Sequence, residues 1–398
     1  MSEYPIYGHL PSKFEALRSI IAQNYEEHEE LGFQFCVMQN GQPLIDIGAG
    51  WTDRHRSQAV NENTLFAVFS SGKAAAALVI AWLVEQDRIG YDQLVATIWP
   101  EFAQGGKEQV TIGQLMSHQA GLSGITNPDW TPKDWFDWDK TTAQLEKQMP
   151  IFPPGSASGY HPVTFGFLAG KIARRTDRDQ RSLGRILREE LCQAAGADVW
   201  IGLPPSEHER CAQMQKPKAL ADMGDITEAT RWAFLKPWSA PGGMGTAAWR
   251  EAELAGSNCH ATARGLAKLM QAGVDGRIGD IPILSEDTQA ALSKSRISGQ
   301  NLVLPFEINF AAGVMRNEPN FFFGPNPDTL GHSGWGGSCV FADPTSGLHG
   351  AYVMNRQRNS LLGDVRPRAL IDTLYRACLL YTSPSPRDRT RSRMPSSA

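Results

Sequence analysis

The strand-like segments of this chain lie near its two ends, and helical patterns fill the middle. An alternating run from Phe33 to Gln39 leads through an Asn40-Gly41 turn into a return run from Pro43 to Gly48. Asn-Gly between two such runs predicts a β-hairpin. Strand patterns return at 308–315, 337–342 and 348–355. Strands at both ends therefore predict one antiparallel sheet built from the two termini.

The same pattern predicts an α+β fold in a single domain of residues 1–382. Terminal helices at 11–30 and about 364–379 are expected to flank the sheet part, which covers about 1–69 and 290–382. The segment of about 70–290 is predicted to form a mostly helical insertion, with the active site in the cleft between the two parts. Residues 383–398 are rich in Ser, Pro and Arg and are predicted to be a disordered tail.

Composition and motif content exclude several function classes. A net charge of −4 and a pI near 6.2 give no reason to expect nucleic acid or an anionic membrane as a partner. The N-terminus shows neither a signal peptide nor a membrane anchor, which predicts a cytoplasmic protein. The six cysteines are scattered singly, and H-E-x-x-H, P-loop, G-x-G-x-x-G and G-x-S-x-G motifs are absent. We therefore expect no metal and no cofactor.

The segment Ser70-Ser71-Gly72-Lys73 places a hydroxyl and an amine three residues apart at the start of an apolar run, 74–85. At this spacing Ser70 and Lys73 share one face of the predicted helix. Burial would lower the pKa of Lys73, and a neutral amine can take the proton of a serine hydroxyl. The alternative is that the serines cap the helix while Lys73 reaches solvent. Ser71 is out of register with the lysine and is expected to be dispensable.

Two glycine-rich segments carry further candidates. Residues 154–161 place Tyr160 just before an apolar helix. Tyr160 could act as a general base beside a lysine ammonium, or its hydroxyl could merely anchor the turn. Residues 331–337 (G-H-S-G-W-G-G) would let backbone approach a substrate closely and expose N–H groups, as an oxyanion hole requires.

These motifs, together with V-T-I-x-Q-L-M-S-H-Q-A-G-L at 110–122, resemble the serine β-lactamase and penicillin-binding-protein superfamily. The resemblance is strongest to the class C-related branch that contains family VIII carboxylesterases of the EstB type. It implies that Ser70 is the acylated nucleophile and that Lys73 and Tyr160 share general-base and general-acid work, without deciding which holds the proton. It also implies an oxyanion hole formed by the backbone N–H groups of Ser70 and Trp335. Substrate contacts are implied for His161, His332, Ser333, Gly334 and Trp335.

The chain departs from the class C pattern at two positions that bear on substrate. The asparagine of Y-x-N is replaced in Tyr160-His161-Pro162, and the lysine of K-T-G is replaced by His332. Both changes disfavour β-lactam turnover. The resemblance therefore implies a hydrolase for small-molecule carboxylic esters, with small or medium acyl groups. A β-lactamase, a D-alanyl peptidase or acyltransferase, and a catalytically silent ligand-binding homologue remain alternatives.

Aromatic residues cluster in two loop-like segments of the predicted insertion. One segment carries Trp130, Trp135, Phe136 and Trp138, and the other carries Trp232, Phe234 and Trp238. They could line an apolar pocket for an acyl or alcohol group, or they could fill the core, and the sequence leaves both readings open.

Overall fold

A computed structural model describes residues 4–219 and 221–382. The predicted tail, 383–398, lies outside the described residues. The described part contains strands β1 (Ile6–His9), β2 (Gly32–Gln39), β3 (Gln42–Gly50), β4 (Phe66–Ala67), β5 (Val199–Trp200), β6 (His260–Ala261), β7 (Arg277–Ile278), β8 (Ile281–Pro282), β9 (Ile297–Gln300), β10 (Glu307–Phe310), β11 (Met315–Arg316), β12 (Leu330–Ser333), β13 (Cys339–Asp343) and β14 (Leu348–Met354).

Nine of these strands form one antiparallel sheet in the order β1-β3-β2-β14-β13-β12-β11-β10-β9. The two ends of the chain meet where β2 pairs with β14, from Phe33 opposite Met354 to Gln39 opposite Leu348. Strands β4, β6 and β5 form a second, smaller sheet, and β7 pairs with β8. The large sheet confirms the predicted α+β class and its construction from both termini.

The α-helices are α1 (Leu17–Glu27), α2 (Gly72–Glu85), α3 (Val95–Ile98), α4 (Ile112–Met116), α5 (Trp138–Lys147), α6 (Thr164–Thr176), α7 (Leu183–Ile186), α8 (Glu228–Thr230), α9 (Ala247–Glu251), α10 (Ala263–Met270), α11 (Ala272–Asp275), α12 (Glu286–Ser293) and α13 (Val365–Thr382). Helices α1 and α13 contact each other, while α10 packs against β2, β13 and β14. None of the helices in the described part is both long and apolar enough to cross a membrane.

The sheet separates two hydrophobic cores. Along β2, Phe33, Phe35 and Val37 belong to the core beside α1 and α13, whereas Cys36 and Met38 belong to the core that contains α2. Successive side chains of a strand point to opposite faces, so a strand covered on both faces is apolar almost throughout. Helix α2 is buried nearly all round and contacts α6, α12 and β12. Its first turn therefore lies at the junction of sheet and helices.

The predicted hairpin is confirmed, with positive φ values of 48° at Asn40 and 76° at Gly41, as a tight turn of this kind requires. The single strand expected at 308–315 is instead split into β10 and β11, because the chain turns at Gly313 (φ 87°). The helix expected at 11–30 is a short 3₁₀ turn followed by α1. The short strands β1 and β4 were not predicted, since they are too short to show a period.

Candidate active site

Ser70 lies in a 3₁₀ turn, Phe69–Ser71, that leads directly into α2. Phe69 adopts a left-handed backbone conformation (φ 48°), which residues with a side chain rarely take. Its ring is held between Trp249 and Trp335, at centroid distances of 6.2 and 5.7 Å. This turn places Ser70 on the wall of a cavity of about 300 Å³.

Lys73 is completely buried, and its Nζ lies 3.1 Å from Ser70 Oγ. The same nitrogen is 2.9 Å from the carbonyl oxygen of Pro162 and 2.9 Å from that of Gly256. Burial lowers the pKa of Lys73 well below its usual range, and within 4–219 and 221–382 no carboxylate pairs with it. A neutral amine that donates its two hydrogens to these carbonyls keeps its lone pair for the Ser70 hydroxyl.

Tyr160 lines the same cavity and is 5% exposed. Lys73 Nζ lies 4.8 Å from the centroid of its ring. Burial raises the pKa of Tyr160 above the usual 10.0, although a hydrogen bond with Ser70 acts in the opposite direction. The expectation that a neighbouring ammonium would ease ionisation of the phenol is therefore wrong in direction, because desolvation dominates and leaves Tyr160 neutral. The tyrosine can donate a proton, whereas Lys73 can accept one.

The end of β12 and the turn after it approach the Ser70 turn closely. A Cβ on Gly334 would lie 2.3 Å from the carbonyl oxygen of Val68, so only glycine allows this approach. Ser71 Oγ lies 2.9 Å from Ser338 Oγ, which in turn donates to the Val68 carbonyl at 2.7 Å. The second serine of the motif thus ties α2 to the sheet.

Two backbone amides are left free at this junction. Neither the Ser70 nor the Trp335 N–H donates a hydrogen bond to another group of the described residues. Trp335 lines the cavity, as Ser70 does. Unpaired N–H groups at a cavity wall can bind an oxygen that carries negative charge.

The turn that carries Trp335 is held from behind by a buried cation. The Arg366 guanidinium donates to the carbonyl of Gly336 at 2.8 Å, and Gln357 Nε2 donates to that of Trp335 at 3.1 Å. Glu30 and Asp364 neutralise Arg366 at 3.2 and 3.0 Å. No sequence pattern pointed to this support, since its members come from three separate segments.

The two histidines among the predicted site residues lie behind the cavity wall. Burial lowers the pKa of His332 to about 3, and its Nδ1 is 2.8 Å from the carbonyl oxygen of Ser333. His161 is also buried, with its pKa lowered to about 3. Its Nδ1 lies 2.6 Å from the Gly159 carbonyl, and its Nε2 accepts from the Leu122 amide. Both rings are neutral, and neither lines the cavity, so the structure does not support direct substrate contact by His161 or His332.

The structure therefore brings together five of the predicted site residues at one cavity: Ser70, Lys73, Tyr160, Ser333 and Trp335. Gly334 contributes through its lack of a side chain, at the contact with Val68. Lys73 reaches this group from within the core rather than from the cavity wall.

Apolar side chains dominate the rest of the cavity wall. The residues that sequence reasoning missed here include Phe69, Met223, Met244, Trp249, Leu304, Leu361 and Leu362. Of the two aromatic clusters only Phe234 lines the cavity. Trp130 and Trp135 are buried in the core, and the rings of Trp232 and Trp238 are tilted against each other with their centroids 6.4 Å apart. Exposed Lys216 is the one cation on the wall of this cavity among the described residues, and no acidic side chain of those residues lies on it.

The sequence profile of the family described as Beta-lactamase matches residues 17–375. The chain belongs to this family. This β-lactamase family protein is 30% identical over 377 residues to the esterase/β-lactamase LipL of Mycobacterium tuberculosis, which covers 90% of this chain and 84% of LipL.

Two solved structures extend the comparison. A penicillin-binding-protein homologue from Caulobacter crescentus is 49% identical with a TM-score of 0.91, covering 94% of this chain and 100% of that one. A family VIII carboxylesterase is 35% identical with a TM-score of 0.86, with the same coverage. The predicted membership of the serine β-lactamase and penicillin-binding-protein superfamily is confirmed, and this family member is a hydrolase of that superfamily.

Proposed function

We propose that this protein hydrolyses small-molecule carboxylic esters through an acyl-enzyme on Ser70. The observation that carries the proposal is the fully buried Lys73 amine, 3.1 Å from Ser70 Oγ at the wall of a largely apolar cavity. Burial lowers the pKa of this amine and so favours its neutral form, which can activate the hydroxyl without a histidine.

In the first half of the reaction Lys73 accepts the Ser70 proton while Oγ bonds to the acyl carbon of the ester. The carbonyl electron pair moves onto oxygen, which the N–H groups of Ser70 and Trp335 bind. Collapse of this intermediate breaks the bond to the alcohol oxygen. Neutral Tyr160 protonates that oxygen and recovers a proton from Lys73.

In the second half water replaces the alcohol. A water molecule gives one proton to the Lys73–Tyr160 pair as its oxygen bonds to the acyl carbon. Collapse then breaks the bond to Ser70 Oγ, which regains a proton from the same pair. The products are the carboxylic acid and free enzyme, so no cofactor is consumed.

The residues at the two positions that differ from class C β-lactamases favour esters over β-lactams. His332 stands where a class C β-lactamase places a lysine, and it is buried and neutral. Both ring nitrogens of His161 are hydrogen-bonded to backbone groups, those of Leu122 and Gly159. No fixed cation or amide therefore meets a lactam from these positions. The family VIII carboxylesterase, at 35% identity, supports an ester substrate, and LipL is described as an esterase as well as a β-lactamase.

The size of the cavity sets the expected acyl group. About 300 Å³ enclosed mainly by methionine, leucine and aromatic side chains suits small or medium apolar acyl chains. Apolar contacts of this kind bind through burial of carbon surface, at about 25 cal/mol per Å². Turnover should therefore rise from acetyl to butyryl esters and fall once the chain exceeds the cavity.

The decisive experiment compares p-nitrophenyl esters of increasing chain length with nitrocefin, and follows acylation by intact mass. Wild-type protein should acquire the acyl mass and hydrolyse the butyrate far faster than nitrocefin. Ser70→Ala should lose both the mass and the turnover. Ser257→Ala is the matched control, because Ser257 lies on the same wall and its hydroxyl donates to the Pro162 carbonyl rather than bonding to the Lys73 amine, so its loss should leave acylation intact.

Two results would contradict the proposal. Nitrocefin turnover equal to that of the butyrate would favour the β-lactamase alternative. Absence of any acyl mass with every ester and with a fluorophosphonate probe would favour the silent ligand-binding homologue.

A further inference from the structure

A second crevice of about 300 Å³ is lined by Trp249 but not by Ser70. Trp249 and Met244 line both the catalytic cavity and this crevice. Met214 and two alanines, Ala67 and Ala212, complete an apolar wall. No step of the proposed ester hydrolysis uses this space.

Arg250 brings an uncompensated positive charge to the crevice. Its Nε is buried and has no hydrogen-bond partner. Its Nη1 reaches only the carbonyl oxygen of His208, at 3.4 Å. Within the described ranges no carboxylate pairs with Arg250, and no acidic side chain lines the crevice. A charged group with unmet hydrogen-bonding capacity is costly, and the Arg250 guanidinium, which lines the crevice, therefore retains the capacity to donate to a ligand.

His260 lies beside Arg250 and is 2% exposed. Its Nδ1 is likewise buried without a partner, and its ring packs edge-on against Trp249 at 5.4 Å. Burial and the Arg250 charge lower the pKa of His260 to about 3, so the ring is neutral. A neutral imidazole can offer one ring N–H to the anion that Arg250 attracts, without adding repulsion.

We propose that this crevice binds a small organic carboxylate. The carboxylate oxygens would accept hydrogen bonds from Arg250 and His260, and an aryl or alkyl body would lie against Trp249, Met244 and Met214. A guanidinium matches the two oxygens of a carboxylate, and the apolar wall selects against fully hydrated inorganic anions. The site is separate from Ser70 and does not depend on the esterase proposal.

Titration calorimetry with sodium benzoate tests the assignment, because benzoate combines a carboxylate with an apolar ring. Arg250→Met should weaken benzoate binding by at least about tenfold, the loss expected for one hydrogen bond to a charged group. Lys216→Met is the matched control, since it removes the only cation that the described residues place on the catalytic cavity. It should leave benzoate affinity unchanged.

A second variant keeps the test valid if Arg250→Met unfolds. Ala212→Leu fills the crevice while every charge is retained, and it should also abolish benzoate binding. Inorganic phosphate, titrated separately, should bind far more weakly than benzoate. Any of three results would overturn the proposal. Benzoate binding could be lost in Lys216→Met alone, phosphate and benzoate could bind with equal affinity, or benzoate could fail to bind the wild-type protein.

Discussion

Gly334→Ala tests the contact that aligns the sheet with the Ser70 turn. The added Cβ would lie 2.1 Å from Ser338 Oγ and 2.3 Å from the carbonyl oxygen of Val68. The serine hydroxyl can rotate away, but the Val68 carbonyl belongs to the backbone that carries Ser70. Since contacts tighter than 3.4 Å already require the neighbour to give way, the two segments must separate by roughly 1 Å.

The separation has two expected consequences of known size. Overpacking of a buried contact costs about 1–3 kcal/mol of unfolding free energy. Movement of the Trp335 amide relative to Ser70 removes one oxyanion donor, which lowers kcat by roughly 10²- to 10³-fold. The loss should fall mainly on kcat, because much of the apolar wall that binds the ester, such as Met223, Met244 and Leu304, lies outside the two displaced segments. Urea unfolding and p-nitrophenyl butyrate kinetics measure the two effects.

Gly90→Ala is the matched control. Nothing lies within 4 Å of the position where its Cβ would be, and its backbone is outside the left-handed region. This variant should keep full activity and near-normal stability. If Gly334→Ala matched Gly90→Ala in both kcat and unfolding free energy, the close approach of the two segments would have no role in the site.

Three further predictions concern the hydroxyl, phenol and amine groups around the cavity. Tyr160→Phe should lower kcat by roughly 10²- to 10⁴-fold with little change in stability, and near-normal turnover would make the phenol structural only. Ser71→Ala should lower the unfolding free energy by about 1 kcal/mol through loss of the bond to Ser338, while acylation at Ser70 persists by intact mass; unchanged stability in urea would refute the tether. Because the pKa of Lys73 is lowered in the folded protein, the unfolded chain binds one more proton than the folded chain at pH values between that pKa and the usual 10.5. The free energy of unfolding should therefore fall as pH is lowered through this interval. Lys73→Met should lack that slope in urea titrations across the alkaline range, and an identical slope in both proteins would contradict a buried neutral amine.

Much of the fold could be predicted because its signals are local. The Asn40-Gly41 hairpin and the apolar run of α2 follow from residue type and spacing over a few positions. The same is true of Ser70 and Lys73, which share a helix face at a separation of three. Failures came where an element was too short for a period, as in β1, or where one glycine interrupted a run, as at Gly313.

The sequence by itself therefore determined the order of the longer strands and helices, the superfamily resemblance and the pairing of Ser70 with Lys73. Only the tertiary structure decided that the carbonyls of Pro162 and Gly256 hold the Lys73 amine and that Arg366 supports the Trp335 turn. It also decided that the His161 ring is hydrogen-bonded to backbone. These contacts join residues far apart in the chain, and no periodicity or spacing rule encodes them. Their geometry, and the burial that sets the charge of Lys73 and Tyr160, exists only once the sheet and the helices have packed together.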